Sequence, residues 1–147
     1  MTKAIFLDRD GTLIHHIPYL DDPNYVLLLP TVVEALQLLQ YHQYKLIIVT
    51  NQSGIGRGKI TLTQYQSVHQ RMMTLLKESG ISIDETYYCP YHPTEGKGQY
   101  LSNSNWRKPQ PGMVLQGIKQ FCLDSSQCTM IGDNIVDIQC AKAAGIK

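Results

Sequence analysis

Ala4-Ile5-Phe6-Leu7-Asp8-Arg9-Asp10-Gly11-Thr12-Leu13 joins a short apolar run to two carboxylates spaced two residues apart. An unbroken apolar run closed by turn residues is the pattern of a strand buried on both faces, as in a parallel sheet. Side chains alternate along a strand, so Asp8 and Asp10 are expected to leave its carboxyl end on one face of the following loop. Two close carboxylates repel each other unless a divalent cation lies between them or one carries a proton. Asp is also a nucleophile in aspartyl-phosphate chemistry. Gly11 permits a turn and Thr12 adds a hydroxyl. The same residues also suit an Asp-Gly turn whose acids cap backbone amides, and the rest of the chain has to decide between the two.

Working outward, apolar runs alternate with segments of helical period, which predicts a parallel sheet covered by helices. A loop with Pro18, Pro23 and Pro30 leads to a helix over 31–42, where Val32, Val33, Leu36, Leu38 and Leu39 recur at helical spacing. Leu46-Ile47-Ile48-Val49 reads as a second buried strand, running into Thr50-Asn51-Gln52-Ser53-Gly54. Thr61 or Thr63 caps a long helix reaching Ser79, closed by Gly80, with Tyr65, Met72, Met73 and Leu76 as its core face. A short strand over 86–89 follows. From Pro90 to Pro111 periodicity is lost, and an irregular loop of that length in a small domain is usually functional. A helix over 112–121, a strand over 128–131 and a helix over 135–144 complete the pattern. A further strand is expected to begin near Lys147, so either the chain is truncated or the sheet lacks a last edge strand.

A length of 147 residues fits one domain, residues 1–147, with a real core. With 43% hydrophobic and 17% charged residues, the composition indicates neither disorder nor a membrane span. A net charge of +1 gives no bulk electrostatic reason to expect nucleic acid. The amino terminus lacks the apolar stretch of a secretory leader, so a cytoplasmic monomer is expected. Cys89, Cys122, Cys128 and Cys140 form no Cys-x-x-Cys pair and no disulfide framework is expected; Cys122 and Cys140 read as packing residues in helices.

Each strand ends in polar residues: Asp8 and Asp10, Thr50 and Asn51, and Gly132-Asp133-Asn134 with Asp137. In open α/β sheets such ends converge on one crevice. Together with Arg107-Lys108-Pro109 they resemble the haloacid dehalogenase superfamily of aspartate-nucleophile phosphohydrolases, over nearly the whole chain. Phe6 to Thr12, Thr50 to Gly58 and Arg107-Lys108-Pro109-Gln110-Pro111-Gly112-Met113 look like the subfamily of D-glycero-D-manno-heptose 1,7-bisphosphate phosphatases and histidinol-phosphate phosphatases, with the heptose enzymes the better match. The resemblance implies a Rossmann-like parallel sheet flanked by helices on both faces, no large cap domain, and magnesium-dependent removal of the 7-phosphate of the heptose in the supply of lipopolysaccharide.

On that resemblance Asp8 is the nucleophile and Asp10 the general acid and then base. Magnesium falls to the carboxylates of Asp8 and Asp133 and the backbone carbonyl of Asp10, a hard-oxygen set. Lys108 neutralises phosphoryl charge, and the Thr50 hydroxyl and Asn51 N–H bind phosphoryl oxygens. Arg107 holds a sugar hydroxyl or a second phosphate with its forked donors, while Asp137 orients a ligand or Lys108. Arg57 is either a substrate contact or a solvated loop charge. Of the histidines, His15 and His16 lie close enough to the nucleophile loop to line the entrance. The subfamily commonly carries a structural zinc in the long loop, yet here a Cys-x-His is replaced by Cys89 and Tyr91, and a Cys-x-Cys by Ser104 and Trp106. With at most Cys89 and His92 as ligands, zinc is expected to be absent, and Trp106, Tyr91 and Tyr100 are expected to hold the loop. A nucleic-acid 3′-phosphatase shares the Asp-x-Asp-Gly-Thr signature, and a catalytically inactive binding module is the reading from another class. Net charge opposes the first, and the retention of Asp8, Asp10, Lys108 and Asp133 together opposes the second.

Overall fold

The computed structural model describes residues 2–147. The apolar runs form strands β1 (Ala4–Leu7), β2 (Lys45–Asn51), β3 (Glu85–Cys89) and β4 (Cys128–Ile131). All pair in parallel, in the spatial order β3-β2-β1-β4. Helices α1 (Val32–Tyr41), α2 (Ser53–Gly56), α3 (Leu62–Glu78), α4 (Gly112–Gln120) and α5 (Ile135–Ala144) connect and cover them. A β1 strand with neighbours on both sides has to be apolar on both faces, which its sequence is.

Alternation along β1 and β2 divides the interior in two. Ile5, Leu7, Leu46 and Ile48 face one core with Val32 and Leu36 of α1 and Val68, Met72 and Leu76 of α3. Ala4, Phe6, Ile47 and Val49 face the other, with Met113 and Val114 of α4 and Cys140 and Ala141 of α5. Helices therefore cover both faces of the sheet, as expected.

Element ends carry their own chemistry. Thr61, not Thr63, caps α3: its hydroxyl accepts from the Gln64 N–H at 3.1 Å, and the Gln64 side chain accepts from the Thr61 N–H at 2.8 Å. This reciprocal pairing satisfies two orphan donors of the first turn. The same device begins α5 with Asn134 and Asp137, and it matters for the site below.

Three details differ from the sequence reading. The second strand runs on to Asn51 because Thr50 and Asn51 still pair with β3. The one-turn helix α2 was not anticipated, since a four-residue stretch with two glycines carries no periodic signal. Cys122 is exposed and lies beyond the end of α4 with a φ of 50°, where the chain turns, rather than packing within a helix; Cys140 is buried as expected.

The stretch from Pro90 to Pro111 is irregular apart from one 3-10 turn at Gly98–Tyr100. It lies against the body through aromatic side chains: Trp106 meets Tyr87 of β3 edge-on at 5.6 Å between centroids, and Tyr91 and Tyr100, 6.0 Å apart within the loop, pack onto buried apolar residues. Beyond α5, the Met130 N–H donates to the Lys147 carbonyl and the Lys147 N–H to the Cys128 carbonyl, the alternation of a parallel pair on the outer side of β4. Among the described residues, no helix is long and apolar enough to cross a membrane.

Phe6 is fully buried just before the Asp8-Arg9-Asp10 loop. Phe6→Ala is expected to lower stability by about 3–5 kcal/mol through lost burial and the cavity left behind. A denaturant midpoint that falls with an unchanged slope would bear this out.

Candidate active site

Successive strands step from β1 through β2 to β3 on one side, whereas β4 returns to the other side of β1. The reversal opens a crevice at the carboxyl ends of β1 and β4, where ligands bind in sheets of this type. Asp8 and Asp133 follow those two strands. A cavity of about 560 Å³ there is lined by Asp8, Asp10, His16, Asn51, Arg107, Lys108, Asp133, Asn134, Val136 and Asp137.

Gly11 and Gly132 make this approach sterically feasible. Gly11 has a φ of +80°, and a Cβ on it would collide with the Asp133 carboxylate; a Cβ on Gly132 would collide with Asp137. A side chain at either position would push apart the acids that the crevice gathers.

Lys108 is 3% exposed, and all three of its ammonium donors are used. Nζ donates to Asp8 Oδ1 at 2.9 Å, Asp137 Oδ1 at 2.7 Å and the Val49 carbonyl at 2.9 Å. Asp137 is fixed in turn, because its other oxygen accepts from the Asn134 N–H at 3.1 Å in the α5 cap. Asn51 holds the Lys108 backbone with both ends of its amide, donating to the carbonyl at 3.0 Å and accepting from the N–H at 2.9 Å. The side chain of Asn51 thus has a role that the sequence reading, which weighed its N–H, did not see.

Asp10 lines the same cavity but is held by other neighbours. Its Oδ1 accepts from Arg9 Nη2 at 3.1 Å and Nε at 3.3 Å, and its Oδ2 accepts from Gln52 Nε2 at 2.8 Å. Gln52 Nε2 also lies 2.9 Å from Thr50 Oγ1, so the Thr50 hydroxyl is buried against Gln52. Arg9 and Gln52 were missed from sequence. The available signal was their adjacency to the two acids and to Thr50-Asn51.

Burial pushes the Asp8 carboxyl up to about 7; Asp137 and Asp133 add to the rise, and Lys108 opposes it. For Lys108, burial works against the charge, but Asp8 and Asp137 outweigh it and hold the ammonium above its ordinary range. Lys108 is therefore held as a cation through the neutral range.

Asp8, Asp133 and Asp137 each present one carboxylate oxygen within 4.8 Å of the others, the one such group of three metal-ligating side chains among the described residues. Both oxygens of Asp137 already accept hydrogen bonds. This leaves Asp8 and Asp133 as the carboxylates open to a cation, and a hard-oxygen pair fits magnesium.

Arg107 lines the cavity, with Nη1 buried and without a hydrogen-bond partner. His16, exposed like His15, lines it as well, whereas His15 lies outside the lining. Arg57 is outside this lining: it pairs with Glu95 at 3.3 Å and lies 5.7 Å from the Tyr19 ring centre. Just before the long loop, Cys89 at the end of β3 is buried. His92 is occupied by its own turn, Nδ1 accepting from the Thr94 and Glu95 N–H groups at 3.2 and 3.0 Å.

A parallel sheet with an Asp-x-Asp loop after its first strand, a buried lysine on the first Asp and further acids after the last strand defines a haloacid dehalogenase-type phosphohydrolase. The family model for polynucleotide kinase 3 phosphatase matches residues 3–145. The D-glycero-beta-D-manno-heptose-1,7-bisphosphate 7-phosphatase of Pasteurella multocida is 44% identical over 100% of this chain and 79% of its own length. That of Escherichia coli is 36% identical over 97% of this chain and 75% of its own length. The crystal structure of D,D-heptose 1,7-bisphosphate phosphatase from B. bronchiseptica, complexed with magnesium and phosphate, superposes with a TM-score of 0.88 at 28% identity, covering 99% of this chain and 78% of that one. The chain belongs to this heptose-bisphosphate phosphatase family of the haloacid dehalogenase superfamily.

Because the Asp8 carboxyl is raised from 3.8 to about 7, the folded protein keeps a proton that the unfolded chain releases. In chelator, this group makes stability fall as pH rises through that window. Asp8→Asn removes the effect, so its melting temperature relative to the parent protein should climb from about pH 4 to about pH 7. Parallel melting curves across that range would refute the assignment.

Proposed function

We propose that the protein is a magnesium-dependent phosphatase that removes the 7-phosphate of D-glycero-D-manno-heptose 1,7-bisphosphate through an aspartyl-phosphate on Asp8. The observation that carries this reading is the single cavity in which Asp8, Asp10, Lys108 and Asp133 meet. The substrate comes from the names of relatives at 36% and 44% identity.

In the first step an Asp8 oxygen attacks phosphorus in line, and the bond from phosphorus to the sugar oxygen breaks. The electron pair stays on the sugar oxygen, which takes a proton from Asp10. Water then gives a proton to Asp10 and attacks phosphorus; the bond to Asp8 breaks, releasing phosphate and restoring the carboxylate. The Asp8 and Asp133 carboxylates and the Asp10 backbone carbonyl would hold magnesium, which when bound supplies positive charge against the phosphate dianion. Lys108 supplies a second positive charge, fixed in place by Asp137 and Asn51. The Thr50 hydroxyl and Asn51 N–H complete the phosphoryl cradle, and the Arg107 guanidinium on the cavity wall takes a sugar hydroxyl or the second phosphate. Arg57 joins them only where a substrate draws it from Glu95.

Phosphate release from the heptose bisphosphate, histidinol phosphate, an aryl phosphate and a DNA 3′-phosphate, each with magnesium and with chelator, tests the reading. The heptose bisphosphate should be fastest and should need the metal; faster release from DNA would replace this reading with a 3′-phosphatase. Lys108→Ala should chiefly lower kcat, since Lys108 faces the reacting group. Arg107→Ala should raise KM for the bisphosphate more than for the aryl phosphate, by the equivalent of about 1.5–3 kcal/mol for a lost charged hydrogen bond. An unchanged preference between the two substrates would remove Arg107 from recognition.

We further propose that the long loop is held without zinc, by Trp106, Tyr91 and Tyr100. Metal analysis of protein purified without added zinc should find less than a stoichiometric amount, and chelators should leave the melting temperature of the loop-bearing chain unchanged apart from the magnesium effect. About one tightly held zinc per chain would overturn this.

A further inference from the structure

The reaction just described uses Asp10 as proton carrier and leaves Arg9 and Gln52 without a role. Yet Arg9 is 2% and Gln52 8% exposed. A buried guanidinium is unfavourable unless its charge is compensated. For Arg9 the compensation is Asp10: Nε and Nη2 both donate to Oδ1, while the guanidinium lies 5.3 Å from the centre of the Tyr65 ring. From the other side Gln52 donates to Oδ2, and its backbone N–H is anchored to the Cys89 carbonyl at 2.8 Å.

We infer that Arg9 and Gln52 are positioning residues that fix the Asp10 carboxyl at both oxygens and so set its aim at the leaving sugar oxygen and at the attacking water. This rests on the reading of Asp10 as acid and base. A carboxyl group turns easily about its last bond; donors on both oxygens stop that rotation and leave other lone pairs for the substrate. The two holders differ in chemistry. Arg9 offers donors only, so it suits the oxygen that never carries the proton. Gln52 Nε2 donates to a lone pair of Oδ2 and leaves the proton on that oxygen free for the leaving sugar oxygen. The Thr50 hydroxyl accepts from the same nitrogen at 2.9 Å and so keeps the donor end of the amide toward Asp10. The support behind Arg9 is an aromatic stack on α3 and β3, Tyr65 lying 4.8 Å from Tyr88 and 5.7 Å from His69. Misaim of a proton carrier costs most where the leaving oxygen most needs a proton.

The test is kcat/KM, which reports the first step, on a sugar phosphate with a poor leaving group and an aryl phosphate with a good one. Gln52→Met keeps the length and loses the hydrogen bonds. It should lower kcat/KM on the sugar phosphate by about tenfold to a hundredfold, part of what a general acid contributes, and several-fold less on the aryl phosphate. Arg9→Lys, which keeps the charge and loses the fork, should show the same skew, and Gln52→Met should add little in an Asp10→Asn background. Equal losses on both substrates, or full additivity with Asp10→Asn, would make the two residues merely structural. Asp10→Asn is the control: if it lacks the skew itself, the acid reading fails; if it shows the skew while Gln52→Met and Arg9→Lys do not, only the positioning inference fails. Gln52→Met keeps the test open should the Arg9 variant not fold.

Discussion

The Lys108 ammonium, donating to Asp8, Asp137 and the Val49 carbonyl, is the contact on which the site depends. A buried cation is tolerated only with its charge and every donor satisfied. The surrounding architecture meets that condition: β2 brings the Val49 carbonyl, β1 delivers Asp8, and the cap of α5 turns Asp137 inward. Removing any one of these leaves a buried ammonium donor without water or partner. In the proposed reaction the same contact serves the chemistry, because it concentrates positive charge beside a buried carboxylate where a phosphate would meet them both.

The sheet separates two supports that the chemistry needs to keep independent. Asp8 follows Phe6 in parity and reaches Lys108 and Asp137 on the side of α4 and α5. Asp10 is gripped by Arg9 and Gln52, with Tyr65 of α3 behind. Asp8 and Asp10 therefore share a cavity while owing their positions to different cores. Such an arrangement lets one carboxyl sit in a strongly cationic setting without the same ammonium acting directly on the other.

The sheet and its helices were legible because β1, β2 and β4 are unbroken apolar runs and α3 carries a clean helical stripe. The acids at strand ends were legible for the same reason: where a strand ends fixes where its next residues emerge. What sequence did not disclose was partnership. Asn51 bonds Lys108 across 57 positions of chain and Gln52 bonds Asp10 across 42, and no local pattern encodes such pairs. Arg57 shows the same limit: its sequence context leaves it open between a substrate contact and a solvated loop charge, and its pairing with Glu95 of the long loop and with the Tyr19 ring is again a long-range partnership. Cys122 misled because a small apolar residue at the end of a helical stripe looks the same whether it packs or turns the chain.

The long loop shows how the pair Arg107-Lys108 acquires its position from neighbours that have no chemistry of their own. Ser104 and Trp106 stand where the resembling subfamily commonly has a Cys-x-Cys. Here the Trp106 N–H donates to the Ser104 hydroxyl at 3.1 Å, and the indole meets Tyr87 of β3 edge-on. The Gly112 N–H closes the same turn on the Asn105 carbonyl at 2.8 Å. An indole against a strand fixes the loop by apolar area and ring geometry. Lys108 is then held from three sides: by Trp106 two residues before it, by Asn51 at its backbone and by the two acids at its ammonium. Arg107, between the aromatic anchor and the buried lysine, has little freedom left in its backbone while its guanidinium keeps an unpaired donor. That is the condition under which a side chain can select a substrate without disturbing the chemistry beside it.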